Sequence, residues 1–346
     1  MNDEIAEGDE IVNFDVVLGN PPYQLTGGSG GTNDAPIYQH FVEVAYEANP
    51  TFVSLIIPSK WFATGREHLL GDFRKKMLGD KSIKGMVSYS DSHEVFPDVA
   101  IKGGICYFLH DGKFTGNCAY KLIQNGTESL VSRKLDEFDI LIQDPRLESI
   151  VRKVSQDIKD QDNTVAAIIS GDTPFGIPTN PKTSSKRAFP VYDTCDGSHD
   201  TMLFYLEKAT RKISYIDKQQ ISKNSQDVEK YKVFLPKAYG AGDSFPHQIV
   251  GQPEYAPTNS VCSQTYLYAA FSSEIEAKNF ITYLKTKMFR SLVLASKTSQ
   301  DLPSKTYRFV PILDFSKPWT DEELYAKYEL TEEEIAFIES MIKPME

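Results

Sequence analysis

Apolar and polar positions occur in blocks along the first third of the chain, and the blocks predict alternating strands and helices. Residues 11–18 are nearly continuous in apolar, largely β-branched side chains, which is typical of a strand buried on both faces of a parallel sheet. Residues 52–57 have the same character. Between them, apolar side chains at helical spacing predict a helix over residues 35–48. The apolar face of this helix comprises Ile37, Phe41, Val44 and Ala45.

The pattern continues with a helix predicted over residues 66–78 and strands over residues 83–89 and 104–109. The loop between these two strands contains Val95-Phe96-Pro97-Asp98. Strands that alternate with helices and end in a hairpin are typical of the α/β class. We therefore predict an α/β region at the start of the chain.

The second half of the chain has a different residue composition. From about residue 150 it is rich in Pro, Gly, Ser and Asn, with short aromatic strands, so we place a domain boundary there. Apolar periodicity predicts an amphipathic helix over residues 274–295. Two capping boxes, Thr320 with Glu323 and Thr331 with Glu334, predict helices near the end of the chain.

Amino-acid composition limits the classes of protein to which the chain can belong. With 346 residues the chain is long enough for two domains, and 40% hydrophobic with 25% charged residues is ordinary for a globular protein. The acidic opening is unlike a signal peptide, and the most apolar run is far shorter than the roughly 20 residues that span a bilayer, so we expect a cytoplasmic protein without a membrane partner. Four scattered cysteines and six histidines show no metal-ligand spacing, so no metal site is expected.

Charge argues against nonspecific binding to nucleic acid over the whole surface, because the formal net charge is -11. The distribution of charge along the chain weakens this argument, since the acidic residues cluster at residues 1–10, 136–163 and 321–346. Basic stretches lie in the second half of the chain, at Lys182, Lys186, Arg187, Lys208, Arg211, Lys212 and residues 285–308. A basic cleft on an acidic body is compatible with this pattern.

The strongest motif is Asn20-Pro21-Pro22-Tyr23, which follows the first strand directly. Consecutive prolines force the chain out of the sheet at the strand's carboxyl end, where open α/β sheets bind ligands. Methyl transfer to an exocyclic amine needs acceptors for the amine hydrogens, and the Asn20 side-chain carbonyl and the Pro21 backbone carbonyl meet that need. Tyr23 offers a flat face for an unstacked base, which is worth about 1 to 3 kcal/mol. A polar turn with a surface tyrosine is the plain alternative.

These residues resemble the gamma-type N6-adenine DNA methyltransferases of restriction-modification systems. The resemblance is carried by residues 14–23 (FDVVLGNPPY), 55–62 (LIIPSKWF), 94–97 (EVFP) and 102–109 (KGGICYFL), and it continues more weakly at residues 309–311 and 319–321. It implies an enzyme that uses S-adenosylmethionine and flips the target adenine out of double-stranded DNA. Direct in-line transfer to N6 is implied, without a covalent enzyme intermediate or a metal.

The same resemblance implies roles for single residues. Asn20, Pro21, Pro22 and Tyr23 form the implied catalytic motif, in which Asn20 and Pro21 position the target amine beside the cofactor. Tyr23 stacks on the flipped adenine, and Phe96 contacts its other side. For Phe96, a core aromatic at a hairpin bend is an equally open interpretation.

The chain differs from the family in the segment that precedes the NPPY motif. The family's earlier strands carry a glycine-rich turn and an acidic residue for S-adenosylmethionine, and about ten residues precede residue 11 here. The implied fold is a partial Rossmann-like methyltransferase sheet, with later strands only and a closing β-hairpin, plus a C-terminal α+β target-recognition domain. We assign residues 1–150, 151–310 and 311–346 to the catalytic part, the target-recognition domain and a C-terminal helical extension.

An incomplete sheet has a physical consequence. The outer edge of the strand at residues 11–18 would have no neighbour, and proteins normally cover an apolar edge. We therefore expect that a second chain or a second copy completes the sheet, or that the chain is a fragment of a longer enzyme. The candidate DNA contacts in the second half of the chain are Lys182, Lys186, Arg187, Lys237, Lys297, Lys305 and Arg308.

Three other interpretations remain open at this point. A truncated catalytic half can become an inactive DNA-specificity module. Protein glutamine methyltransferases share motifs like NPPY, although a long second domain argues against that substrate. Pro97-Asp98 with Asp111-Gly112-Lys113 matches the loose pattern of metal-dependent nucleases, which often arises by chance.

Overall fold

The chain folds into two compact units, Met1–Gln143 and Asp144–Glu346. A computed structural model describes residues 14–25, 35–63, 67–99, 101, 103–182, 190–208, 210–240, 245–297 and 299–345. The boundary between the units lies shortly before the predicted one at residue 150. The assignment of three functional parts stays a prediction, and residues 311–345 lie in the second unit.

The first unit is built on a six-stranded mixed sheet with helices. Its elements in chain order are β1 (Val16–Gly19), β2 (Gln24–Leu25), β3 (Ala35–Pro36), α1 (Tyr38–Glu47), β4 (Phe52–Pro58), α2 (Glu67–Gly79), β5 (Ile83–Tyr89), β6 (Ile105–Asp111), β7 (Cys118–Gln124) and β8 (Thr127–Arg133). The strand order is β1-β4-β6-β5-β7-β8, and β2 and β3 form a separate pair. β1, β4, β5 and β7 run in one direction, whereas β6 and β8 run in the other.

Most of the elements predicted for this unit are confirmed. The strands predicted at residues 52–57, 83–89 and 104–109 are β4, β5 and β6, and α2 corresponds to the predicted helix at residues 66–78. The predicted hairpin of β5 and β6 is also present, since the two strands pair antiparallel. The α/β class is therefore confirmed, with a sheet that mixes parallel and antiparallel strands.

The sheet continues past the predicted hairpin into β7 and β8. These strands are joined by Asn125 and Gly126, whose φ angles are 51° and 71°. Two successive residues with positive φ between antiparallel strands are typical of a type I′ turn, for which Asn-Gly is the preferred pair. The Asn125-Gly126 pair is therefore a sequence signal for the β7–β8 hairpin.

Two predictions about burial are wrong. Phe41 and Val44 were expected on the buried face of α1, but their side chains are 43% and 63% exposed. The buried side of α1 instead presents Tyr38, Val42 and Ala45, because these side chains face the core formed with β4. Both sides of this helix are apolar, so periodicity alone did not distinguish the buried side.

The described part of the first predicted strand is also not buried on both faces. In β1, Val16 is 47% exposed and Leu18 is 73% exposed. The physical reason is position, since β1 is an edge strand and pairs only with β4 among the described residues. Residues 11–13 lie outside the described residues.

The second unit combines two three-stranded sheets with helices. Its elements are α3 (Pro145–Val154), α4 (Val165–Ile168), β9 (Thr201–Glu207), β10 (Thr210–Ile216), β11 (Tyr231–Pro236), β12 (Glu254–Ala256), β13 (Ser260–Cys262), β14 (Tyr266–Phe271), α5 (Glu274–Lys285), α6 (Lys287–Leu294), α7 (Asp321–Lys327) and α8 (Glu332–Met341). The sheets have the orders β10-β9-β13 and β12-β11-β14, and both contribute side chains to one hydrophobic core.

The helices of this unit correct one prediction and confirm another. The single helix predicted over residues 274–295 is two helices, α5 and α6, because Thr286 has extended backbone angles and caps α6 by accepting a hydrogen bond from the Phe289 backbone N–H at 3.1 Å. The capping boxes predicted at Thr320 and Thr331 are both present. No described helix combines the length and the apolar character that crossing a membrane requires.

Candidate functional site

Three segments singled out by the sequence meet at one edge of the first unit's sheet. Gly19 ends β1 opposite Leu55 of β4, and Pro58 ends β4 opposite Ile105 of β6. Tyr89, the last residue of β5, also lies opposite Ile105. The NPPY motif, the turn after β4 and the loop that carries Phe96 therefore all leave the sheet at the carboxyl ends of its parallel strands, where ligands bind in such folds.

The NPPY turn is held by backbone hydrogen bonds. The Tyr23 carbonyl accepts a hydrogen bond from the Ile37 backbone N–H at 3.2 Å, just before α1 begins. Next to it, Gln24 pairs with Pro36 in the short antiparallel pair of β2 and β3. The motif is thus fixed at one end by β1 and at the other end by the start of α1.

Asn20, Pro21 and Pro22 line an open cavity of about 510 Å³. The other lining side chains are apolar or small and come from β1, α1 and β4: Phe14, Val16, Val17, Leu18, Gly19, Phe41, Val44, Ala45, Ala48 and Leu55. The volume is within the usual range of about 300 to 1,000 Å³ for small-molecule sites. Asn20 is exposed, so its amide is accessible to a ligand.

Tyr23 is placed differently from the three residues before it. It is half-buried, packs against the hydrophobic core and is not one of the described residues that line the cavity. Its hydroxyl is buried, and no described residue forms a hydrogen bond with it. Burial and the neighbouring Cys106 thiol raise the pKa of Tyr23 to about 12. The phenol therefore stays protonated at neutral pH and belongs to the interior of the unit.

Cys106 forms the centre of a small group of buried polar side chains below Tyr23. Burial raises the pKa of the Cys106 thiol to about 12, and Ser59 and Trp61 oppose this shift through their polar hydrogens. The Ser59 hydroxyl and the Trp61 indole N–H are buried, and no nitrogen or oxygen atom of the described residues forms a hydrogen bond with them. Ser59 and Trp61 belong to the turn after β4, so this turn and Tyr23 both lie close to Cys106.

Phe96 lies in a loop that Ser92 organises. The buried Ser92 hydroxyl donates to the Val99 carbonyl at 2.9 Å and accepts from the Ile101 backbone N–H at 2.8 Å. The Ser92 carbonyl accepts from the Phe96 backbone N–H at 2.8 Å. Phe96 itself is half-buried, so the loop has a defined shape and part of its ring is accessible.

The cavity offers little of what S-adenosylmethionine requires. The cofactor carries ribose hydroxyls and a charged amino-acid group, which need polar partners. The described lining contains no charged side chain, and Asn20 is its only residue with a polar side chain. The described residues therefore do not form a complete S-adenosylmethionine site.

The nuclease-like pattern is not assembled in the fold. Asp98 lies in the loop before β6, whereas Asp111 is the last residue of that strand. A strand of 7 residues separates the two ends by roughly 20 Å. Asp111 instead accepts hydrogen bonds from Lys84 at 3.2 Å and from the Lys113 backbone N–H at 3.1 Å, so the acids do not share a metal position.

The basic residues predicted to contact DNA occupy several environments in the second unit. Lys182 pairs with Asp193 at 2.5 Å, and Lys237 pairs with Asp172 at 2.8 Å. Lys297 donates to the backbone carbonyls of Tyr239 and Ile249 at 2.9 and 2.6 Å. Four other candidates complete the set: Lys305 is exposed, Arg308 is half-buried next to the Phe309 ring, and Lys186 and Arg187 lie outside the described residues.

The β9–β10 hairpin adds two cations that are not among the predicted DNA contacts, Lys208 in its turn and Lys212 within β10. Lys208 and Lys212 are exposed, and neither side chain has an ion pair within the described part of the chain. Lys208 has a φ of 48°, as expected at a tight turn. A hairpin prediction at residues 201–216 identifies them, because it places Lys208 in the turn and Lys212 in the following strand, opposite Tyr205.

The sequence was compared with known proteins. The pattern of the Eco57I restriction-modification methylase family matches residues 2–96, a stretch that includes the NPPY motif. A protein from Mycoplasma pneumoniae described as an uncharacterized adenine-specific methylase is 41% identical over 108 residues, which are 31% of this chain and 25% of that protein. These matches confirm the resemblance of the first unit to restriction-modification methylases.

Solved structures of restriction-modification enzymes are also similar. The type IIG restriction endonuclease BpuSI covers 93% of this chain at 13% identity, with a TM-score of 0.36. The type IIL restriction-modification enzyme MmeI in complex with DNA covers 85% of it at 10% identity, with a TM-score of 0.43. The chain spans about half the length of these structures, 49% and 45%, and a quarter of the curated relative.

Proposed function

We propose that this chain is part of a DNA adenine-N6 methyltransferase of a restriction-modification system, of the gamma type and acting in the cytoplasm. The observation that carries the proposal is the position of Asn20, Pro21 and Pro22 in an open cavity at the carboxyl end of a parallel strand. The match of residues 2–96 to a restriction-modification methylase family and the adenine-specific relative support the same function.

Asn20 and Pro21 bind the amino group of the target base in this proposal. The Asn20 side-chain oxygen and the Pro21 carbonyl are uncharged acceptors, and a proline ring limits the directions that its backbone takes. Acceptance of both N6 hydrogens orients the nitrogen lone pair toward the methyl donor. Pro22 keeps this segment out of the sheet, because it cannot donate a ladder hydrogen bond.

The transfer itself is a direct displacement. S-Adenosylmethionine supplies an electrophilic methyl group in the complete enzyme. N6 would be the nucleophile that accepts this methyl group, and the proton that N6 gives up would pass to solvent through the open cavity that Asn20 and Pro21 line. Asn20 and Pro21 assist by holding N6 in line and by accepting hydrogen bonds from an amine that becomes more acidic during transfer.

Aromatic side chains hold the flipped base. We assign Tyr23 and Phe96 to opposite faces of the adenine, since both follow strands whose carboxyl ends lie at the same edge of the sheet. Stacking on such rings offsets part of the stacking that the base loses when it leaves the duplex. The packing of Tyr23 against the hydrophobic core supports this role, because it holds the ring in place.

We assign DNA recognition to the second unit, which carries the exposed Lys208, Lys212 and Lys305. Lysine contacts to phosphates supply affinity and a steep dependence on salt. The remaining cofactor contacts come from a polypeptide segment outside the described residues, because the cavity lining lacks the polar groups that ribose and amino-acid recognition need.

A methyl-transfer assay tests the proposal. Tritiated S-adenosylmethionine is incubated with duplex DNA of mixed sequence and the purified chain, alone and with a polypeptide that supplies the cofactor-binding half. We expect tritium in N6-methyladenine, and loss of that signal by at least about a hundredfold in Asn20→Ala. Asn117→Ala changes an exposed asparagine in the same unit and should retain activity. No transfer under either condition contradicts the proposal.

A noncatalytic DNA-specificity module is the second candidate function. It is favoured by one observation, the absence of charged side chains from the described lining of the cavity. Such a module binds a specific duplex but transfers no methyl group in any combination. Sequence-specific binding that survives Asn20→Ala, together with absent transfer, would favour this alternative.

A further inference from the structure

The turn that follows β4, residues Ser59–Phe62, carries one charged side chain, that of Lys60, and we call this segment the β4 turn. Ser59, Trp61 and Phe62 are buried, each with 1% exposure or less. Lys60 is half-buried and is therefore the one member of the β4 turn that reaches solvent. A lysine in this setting buries its aliphatic stem and keeps its ammonium group at the surface.

The backbone of the β4 turn is held on both sides of the lysine. The Ser59 backbone N–H donates to the Gly104 carbonyl at 3.0 Å, and the Phe62 carbonyl accepts from the Leu141 backbone N–H at 2.8 Å. The Trp61 and Phe62 rings pack edge to face, with their centroids 4.8 Å apart. The lysine is therefore mounted on a backbone of defined position.

The β4 turn lies next to the NPPY turn. The two strands that lead into these turns are parallel neighbours, with Gly19 of β1 opposite Leu55 of β4. The NPPY turn starts directly after Gly19, whereas β4 continues to Pro58 before its own turn begins. At a rise of about 3.3 Å per residue, the β4 turn begins roughly 10 Å beyond Leu55, on a strand about 4.8 Å from β1. Lys60 thus lies beside the NPPY turn and farther out from the sheet.

A flipped adenine would bring negative charge to this edge of the sheet. N6 lies at the end of the base that is remote from the sugar, so an adenine with N6 at Asn20 keeps its sugar and two flanking phosphates outside the cavity. The described lining of the cavity contains no charged side chain. The phosphates therefore need a cation outside that lining, because a phosphate that loses water without gaining a partner is costly.

The charges around the edge favour a phosphate on the β4 side. The loop between β5 and β6 carries three exposed carboxylates, those of Asp91, Glu94 and Asp98. These acids repel a phosphate, and the nearby His93 is paired with Asp91 at 2.8 Å. Among the residues of the NPPY turn and the β4 turn, Lys60 alone is charged.

We propose that Lys60 binds a phosphate beside the target adenine and holds the DNA backbone in place while the base occupies the NPPY turn. The proposal rests on the proposed function, since it requires a flipped adenine at Asn20. A lysine ammonium is a compact charge with three donors, which suits a phosphate oxygen. Such a contact positions the substrate but reads no sequence, because every nucleotide carries the same phosphate.

Neutral phosphate analogues test the proposal. The adenine that the wild-type chain methylates is first mapped in duplex DNA, in the presence of the polypeptide that supplies the cofactor-binding half. Synthetic duplexes then carry an uncharged methylphosphonate in place of each phosphate beside that adenine. The measured quantity is kcat/KM for DNA, compared between the natural and the neutral duplex.

We expect the wild type to lose about tenfold in kcat/KM when the contacted phosphate is neutralised, because a hydrogen bond between charged groups is lost. Lys60→Ala should lose about tenfold on natural DNA and nothing further on the neutral duplex. Such non-additivity in a double-mutant cycle identifies a direct contact. A variant that is merely misfolded would lose activity on both duplexes and would still respond to the analogue.

Two variants serve as controls. Lys60→Arg keeps the positive charge, so it should retain most of the activity and the sensitivity to methylphosphonate. Lys113→Ala removes an exposed lysine at the opposite edge of the same sheet, since Lys113 follows β6, which runs antiparallel to β4. It should behave like the wild type on both duplexes.

Three results would overturn the proposal. The first is a wild type that tolerates every methylphosphonate, or additive effects of Lys60→Ala and each analogue. The second is a raised KM for S-adenosylmethionine with unchanged use of DNA, which assigns Lys60 to the carboxylate of the cofactor. Both leave the proposed function intact, because they are obtained with an active wild type. The third, no transfer by the wild type, contradicts the proposed function as well.

Discussion

The hydroxyl of Tyr23 is buried beside the thiol of Cys106, and it forms no hydrogen bond within the described part of the chain. Burial of the hydroxyl costs desolvation free energy and gains no hydrogen bond. The ring is therefore held by its packing against neighbouring side chains. We predict that Tyr23→Phe leaves the free energy of unfolding unchanged or raises it slightly, measured by urea denaturation. The same variant should retain methyl transfer, because a phenyl ring still stacks on the base.

Tyr23→Ala tests the contribution of the aromatic ring, whereas Tyr23→Phe tests only that of the hydroxyl. Removal of the ring should lower the methyl-transfer rate by about ten- to a hundredfold, since stacking is worth about 1 to 3 kcal/mol. Duplex binding, measured by gel shift, should change little because the second unit carries most phosphate contacts in our proposal. Equal losses of binding and transfer in Tyr23→Ala would show that the residue is structural.

Ser92 is predicted to position Phe96. Ser92→Ala leaves the Val99 carbonyl and the Ile101 backbone N–H without their partner, which loosens the loop at a local cost of about 1 to 3 kcal/mol. We expect slower methyl transfer and a smaller change in 2-aminopurine fluorescence when that base replaces the target adenine. Ser132→Ala, at an exposed position on β8, should change neither quantity. An unchanged fluorescence signal in Ser92→Ala would contradict the positioning role.

Gly104 is predicted to be the least replaceable glycine described in the first unit. Its φ is +77°, and a Cβ atom there would overlap the Tyr89 carbonyl oxygen. Gly104→Ala should therefore lower the free energy of unfolding by about 3 kcal/mol. Gly126→Ala is a matched control, because its φ of +71° is similar but its Cβ position is open. It should cost about 1 kcal/mol, and equal costs in urea denaturation would disprove the steric explanation.

Thiol reactivity should distinguish one cysteine from the other three. Cys195 is exposed, whereas Cys106, Cys118 and Cys262 are buried. We expect an aromatic disulfide reagent to modify one thiol quickly in the folded protein and four after unfolding. Rapid modification of more than one thiol in the native state would contradict the buried positions.

The buried thiols also predict a dependence of stability on pH. Burial raises the pKa of Cys106 and of Cys118 to about 12 from an ordinary value of 9.0. The unfolded chain therefore loses these protons first, so the stability they contribute is complete below pH 9 and decreases as the pH rises toward 12. The decrease in the free energy of unfolding above pH 9 should be smaller in a variant with Cys106→Ala and Cys118→Ala.

The β9–β10 hairpin should contribute to DNA binding through charge. Lys208→Ala with Lys212→Ala removes two exposed cations and should reduce the slope of log K against log salt by about 2. Lys218→Ala with Lys230→Ala is the control, because these lysines pair with Glu229 and Asp227. Equal slopes in the two double variants would exclude a specific role of the hairpin lysines.

Local sequence patterns determined many secondary-structure elements of this protein. The strands β4 and β5, the helix α2 and the two terminal capping boxes follow from short-range patterns, because apolar periodicity and end-capping act within a few residues. The position of Asn20 at the end of a parallel strand was predictable for the same reason, since two prolines must leave a sheet. The Asn125-Gly126 turn was equally predictable from the local sequence.

Only the tertiary structure decided which apolar side chains are buried. Phe41 and Tyr38 are both apolar residues of α1, yet one is exposed and the other packs in the core, because the position of β4 selects the inward side. The same holds for Leu18, whose sequence context is that of a buried strand but whose strand lies at an edge. Burial depends on which elements lie nearby, and neighbours distant in sequence leave no local signal.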